Sequence, residues 1–220
     1  METIKKGTIK FLSELKENNY REWFLTNKAS YAEAKKNFEV FVQQIIDNIV
    51  EFDPIMKGLE VKNCVFRINR DVRFSNDKSP YKSNFGAFIV RGGKKNGDKF
   101  AGYYLHIEPG NSFIAGGAYM PPSPWLSAIR EKIDQEPEEF KRIINHKEFI
   151  KYFGKIDGEK LKNPPKGYSS DNPNIEMLKF KSYLAMNEVA DKTVLSDDYS
   201  LHVIAVFKAM KPLNDFLNIY

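Results

Sequence analysis

Cysteine is almost absent from this chain. Cys64 is the one thiol in 220 residues, so no disulfide can form within the chain. That composition fits a reducing compartment, and a cytoplasmic location is expected. Long apolar runs are missing too. No stretch approaches the roughly 18 consecutive apolar residues of a membrane-spanning helix. Residues 1–10 are polar and mixed, without the apolar core of a signal peptide. No membrane partner is expected.

The usual signatures of catalysis are also lacking. There is no Gly-x-Ser-x-Gly, and Ser75 and Ser79 have no histidine near them in sequence. Gly92-Gly93 and Gly116-Gly117 lack the Lys-Ser/Thr of a phosphate-binding loop. Gly116 and Gly117 read instead as a bulge or a close backbone crossing. Histidine is scarce, with His106, His146 and His202 the full set. None has metal-ligand spacing, so neither a metal nor a cofactor is expected. Cys64 opens an apolar run and reads as a small buried hydrophobe. His106 and Glu108 stand two apart on a strand-like run, which puts both side chains on one face. They are the best acid/base candidates in the chain.

What is present is a helical sequence wrapped around strand-like runs. Residues 8–18 predict a short helix, with Thr8 as its cap and Ile9, Leu12 and Leu15 on one face. Residues 27–52 predict the longest helix, about 39 Å at 1.5 Å per residue. Its stripe is Tyr31, Phe38, Phe41, Val42, Ile45, Ile49 and Phe52. Strand-like runs follow at residues 64–72, 84–91, 100–108 and 111–119. Gly92 to Gly97 forms a flexible hairpin loop, and Pro109-Gly110 suits the centre of a type II turn. Further helices are expected at 123–135, 136–145, 146–153 and 174–181. A fifth strand is expected at 182–189. Ser196 should cap a last helix that Pro212 kinks or restarts. The pattern is α+β: an antiparallel meander of about four or five strands, packed with helices from both termini. No linker interrupts it, so one domain over residues 1–220 is expected.

The charge is unevenly spread. The formal net charge is +5. Residues 66–91 hold six cations, Arg67, Arg70, Arg73, Lys78, Lys82 and Arg91, against Asp71 and Asp77. A local excess points to an anionic partner more than a diffuse one does. Strand alternation puts Arg67, Asn69, Asp71 and Arg73 on one face. It leaves Arg70 on the apolar side with Phe66, Ile68 and Val72, where an anionic partner must meet it, either a buried carboxylate or an anion admitted by a pocket edge. Two explanations stand. In one, the arginines pair with Asp71, Asp77 and carboxylates such as Glu22 or Glu108, and pin the loop to the sheet. In the other, the cations converge on a phosphate-type anion, because guanidinium forks match its oxygens. The expected ligand-binding set is Arg67, Arg70, Arg73, Lys78, Tyr81, Lys82 and Tyr104. A phosphorylated small molecule is the expected ligand, with weak nucleic-acid binding as a further alternative.

Four blocks carry a resemblance: "NNYREWF", "FRINRDVRFSNDKSPYK", "YYLHIEPGNSFIAGGAYMP" and "LSAIREKI". Together they resemble the domain-of-unknown-function 2461 family of bacterial and fungal proteins, over nearly the whole chain. The resemblance implies one α+β domain and no assigned activity. Tyr119 departs from it, since Trp is the residue the resemblance leads one to expect there. The resemblance also implies that the basic segment, the "REWF" block and the Tyr-Tyr-Leu-His strand meet as one polar site.

Overall fold

The computed structural model describes residues 2–219. Three helices open the chain: α1 (Lys6–Glu17), α2 (Arg21–Thr26) and α3 (Lys28–Phe52). Strands β1 (Phe85–Ile89), β2 (Gly102–Ile107) and β3 (Ser112–Ala118) follow. The chain returns to helix in α4 (Ser123–Gln135), α5 (Pro137–Ile144), α6 (Lys147–Phe153) and the single turn α7 (Ile175–Leu178). Strand β4 (Tyr183–Val189), the turn α8 (Asp191–Val194) and α9 (Tyr199–Leu217) complete it. The fold is α+β, with one antiparallel sheet in the order β1-β2-β3-β4.

The apolar stripe of α3 explains its place. Phe38, Phe41, Val42, Ile45 and Ile49 are buried at helical spacing. Each such side chain gains roughly 1.5–3 kcal/mol by leaving water. The helix stops at Asp53 because Pro54 disfavours helical backbone in the residue before it. Helices α3 and α9 cover one face of the sheet. Phe38 stacks on Phe85 with ring centroids 5.3 Å apart, and Tyr103 meets Phe207 at 5.0 Å. Gly116 on β3 lets α9 approach, since a Cβ there would run into the Met210 sulfur. Tyr103, Leu105, Ile107, Ala87, Ile89 and Ile114 are buried on this side. Alternation turns Gly86, Phe88, Tyr104, His106, Phe113 and Ala115 to the opposite face.

The β2–β3 connection forms the expected turn. The Asn111 N–H donates to the Glu108 carbonyl at 3.0 Å, and Gly110 has φ +74, as a type II turn requires. Four expectations need correction. The helix at residues 8–18 begins at Lys6, so Thr8 is no cap. It is buried within the helix and its hydroxyl donates to Asn37 Oδ1 at 2.7 Å. Ser196 does not cap the last helix, because Asp198 precedes it; the Ser196 hydroxyl donates back to the Thr193 carbonyl. Pro212 does not restart the helix, since α9 runs through it.

The fourth correction matters most for the site. Residues 64–72 do not form a regular strand. They run antiparallel to residues 80–88 through two isolated bridges, Val65–Ala87 and Asn69–Tyr81. Three residues lie between the bridges on one side and five on the other. Two extra residues must therefore bulge out of the second arm, and a bulge breaks the ladder while re-aiming side chains.

Candidate functional site

The bulge falls at Lys82, Ser83 and Asn84, where the hairpin passes the end of β2. Backbone bonds frame it: Phe66 N–H to Gly86 O at 2.9 Å, Lys82 N–H to Ile68 O at 2.8 Å and Arg70 N–H to Pro80 O at 2.9 Å. Ser83 and Asn84 are thereby turned toward β2. The Ser83 hydroxyl donates to Glu108 Oε1 at 2.8 Å, and the Asn84 amide lies 3.4 Å from His106 Nδ1.

Tyr104, His106 and Glu108 form a hydrogen-bonded row along β2. The Tyr104 hydroxyl is 3.1 Å from His106 Nδ1, and His106 Nε2 is 3.2 Å from Glu108 Oε2. The partners fix the tautomer. Glu108 can only accept, so Nε2 carries the proton and Nδ1 accepts from Tyr104. Burial pushes the His106 pKa down, against the opposing pull of Glu108. Near neutral pH the contact is therefore a neutral N–H donating to a carboxylate. Burial pushes the Glu108 carboxyl up, but bonds from Asn111, Ser83 and His106 outweigh it and hold the group below its ordinary value. Burial, with the Glu108 charge, pushes the Tyr104 phenol up to about 12, so it stays a protonated donor. The His106 ring stacks on Phe113 at 4.4 Å and 13°. Lys16 of α1 reaches Glu108 at 3.8 Å.

The cations of the hairpin divide into two groups. Arg70 pairs with Asp77, and Arg73 chelates Asp71 through Nε at 2.9 Å and Nη2 at 2.6 Å. The Arg70 pair is not buried as the alternation predicts: the Asp77 side chain is 58% exposed. The broken ladder changes the register, so Arg70 never enters the apolar layer. Bonds from the Ser79 side chain and from Arg70 hold the Asp77 carboxyl far below its ordinary range. Among the described residues no carboxylate lies within ion-pair distance of Arg67, Lys78 or Lys82. Lys78 donates to the Val72 carbonyl at 3.0 Å and Lys82 to the Arg67 carbonyl at 2.9 Å. The Lys82 ammonium also sits 5.4 Å from the Phe66 ring centroid. Its pKa is lowered by burial and then by the charge of Arg67. Phe66 in turn meets Tyr104 edge-on at 6.3 Å.

Of the residues singled out from sequence, Tyr104, His106 and Glu108 come together, with Lys82 and Arg67 linked to them through Phe66. Tyr81 does not join them. It is buried, stacked on Phe24 at 4.0 Å, and its backbone is held at both ends by the Asn19 side chain. Thus the "NNYREWF" block anchors the hairpin's inner arm. Ser83, Asn84, Asn111 and Phe113 were not singled out. Asn111 was legible only as a turn residue; Ser83 and Asn84 sit in the polar gap between Lys82 and the apolar run at Phe85. Two surface grooves of about 580 and 520 Å³ lie elsewhere, one between α1 and α3 and one beside Phe52 and Lys208. Among the described residues no cluster of three His, Cys, Asp or Glu side chains is placed to hold a metal, and no helix is long and apolar enough to cross a membrane.

No curated protein matches the chain, and no solved structure does. A family profile does match, over residues 7–216, nearly the full length. The chain belongs to that family, described as conserved hypothetical protein (DUF2461).

Proposed function

We propose that the bulged hairpin of residues 65–87, beside the Tyr104–His106–Glu108 row, is a binding site for a phosphate-type anion. Arg67, Lys82 and Lys78 supply the charge. Tyr104 and His106 flank the ligand as hydrogen-bonding neighbours. One observation carries the reading. Lys82 is kept half-buried against Phe66 and beside Arg67, with no carboxylate in reach, and both effects lower its pKa. Two like charges held together cost stability, and an anion seated between them removes that cost. The bulge of residues 82–84 supports the same reading, since bulges often sit where a site needs side chains re-aimed.

A structural role fits Arg70 and Arg73 better, because each already has a carboxylate. In this reading they set the hairpin's shape and take no part in binding. The continuous buried core and the buried thiol of Cys64 support one α+β domain working in a reducing cytoplasm.

Thermal melting with and without pyrophosphate tests the site. A ligand at 100 times its Kd stabilises by about 2.7 kcal/mol, which at this size raises Tm by about 5–10 °C. Arg67→Ala and Lys82→Met should lose most of that rise, with Tm unchanged or higher without ligand. Arg73→Ala should keep it. A wild type indifferent to pyrophosphate refutes the proposal.

A further inference from the structure

We propose that the hairpin of residues 65–87 binds single-stranded nucleic acid. This rests on the anion-binding reading and names its ligand class. The added observation is that the hairpin carries two exposed phenylalanine rings. Phe66 is 37% exposed and carries the Lys82 ammonium over its ring. Phe74 is 96% exposed; the Arg73 guanidinium 5.8 Å from its centroid is already paired with Asp71 and is not one of the binding cations. A phenylalanine stabilises a fold by leaving water, so the fold gains nothing from Phe74 where it stands. A free phosphate needs the cations but gives the rings no role.

Single-stranded nucleic acid uses both. Each base offers a flat π-face to an aromatic ring, while the phosphates between bases meet the cations. A duplex keeps its bases stacked on one another and leaves the rings unused. From Phe66 the aromatic surface continues onto the sheet through Tyr104 and Phe113, with centroids 6.3 and 5.7 Å apart in succession. Among the described residues Arg67, Lys78 and Lys82 have no carboxylate at ion-pair distance, which suits the charge of the strand. Three such cations imply a slope of about −2 in log K against log salt. Stacking tolerates any base, so little sequence preference is expected.

The test uses the full chain and fluorescence anisotropy, with labelled oligothymidylate and oligouridylate of about 12 nucleotides and a duplex of equal length. Salt is varied between about 50 and 200 mM. Both single strands should bind better than the duplex, with the slope given above. Phe66→Ala and Phe74→Ala should each weaken binding about 5- to 100-fold. Phe74→Ala should leave Tm and the pyrophosphate response unchanged, because its ring is fully in water. If pyrophosphate stabilises the protein but neither oligonucleotide binds, the nucleic-acid inference falls and the anion site stands. Equal binding of the duplex, or indifference to both Phe substitutions, also overturns it. If neither pyrophosphate nor oligonucleotide acts, both readings fall.

Discussion

Gly86→Ala probes the joint between hairpin and sheet. Gly86 lies opposite His106 in the β1–β2 pairing. A Cβ built there would stand 2.8 Å from the Tyr104 hydroxyl and 3.4 Å from two of its ring carbons. Gly86 is not among the positive-φ residues, so space alone opposes the new methyl. Overpacking costs typically about 1–3 kcal/mol, and the lower chain entropy of Ala returns about 0.5–1. The net loss should be about 1–2 kcal/mol. Tyr104→Phe alone gives up the bond to His106, about 1 kcal/mol. The double variant has no hydroxyl to clash with. Its nearest ring contact is then 3.4 Å, close to ordinary packing, so its cost should be well below the sum. The expected coupling is about 1–2 kcal/mol, read from a double-mutant cycle by urea unfolding. Effects that add to within about 0.5 kcal/mol would mean that the phenol does not rest on Gly86, and the row would lose its support.

Two further outcomes follow from the same structure. His106 and His202 are both held below the ordinary histidine value, chiefly by burial, so the unfolded chain binds more protons in that range. Stability should be full above about pH 6.5 and fall as pH drops below it, and His106→Gln should reduce the fall in a series of melts. Arg70→Ala should change Tm little, since its partner Asp77 is mostly in water and surface pairs contribute little; a large drop would restore the buried pairing that the strand pattern implies.

The elements with a strong period were legible in the sequence. The stripe of α3, the meander from Phe85 to Ala118 and the Pro109-Gly110 turn all follow from side-chain spacing and backbone preference. Alternation also put His106 and Glu108 on one face, and the structure joins them, with Tyr104, by hydrogen bonds. Residues 64–72 misled for a physical reason. Their alternation is real, but pairing depends on the partner arm, and that arm carries two extra residues. A pattern read along one strand holds no information about the register of the other. Tyr81 misled in a similar way. Its place among cations suggested a ligand contact, whereas Asn19 and Phe24, about 60 residues earlier, hold it in the core.

The bulge also explains why the hairpin's charges divide as they do. Where the two arms stay in register at Asn69 and Tyr81, the chain beyond them closes into a turn, and Arg70 and Arg73 find Asp77 and Asp71 within a few residues. Those pairs are local and need nothing from the sheet. Across the bulge the arms no longer match. There the Lys82 ammonium donates to the Arg67 carbonyl and feels the charge of the Arg67 guanidinium. The other side chains at the bulge, Ser83 and Asn84, are neutral and turn away to serve Glu108 and His106. Glu108, at the end of the row, is already shared by His106, Ser83, Asn111 and Lys16. One irregularity of two residues thus gives β2 a satisfied polar row and leaves beside it two cations with no carboxylate at ion-pair distance among the described residues.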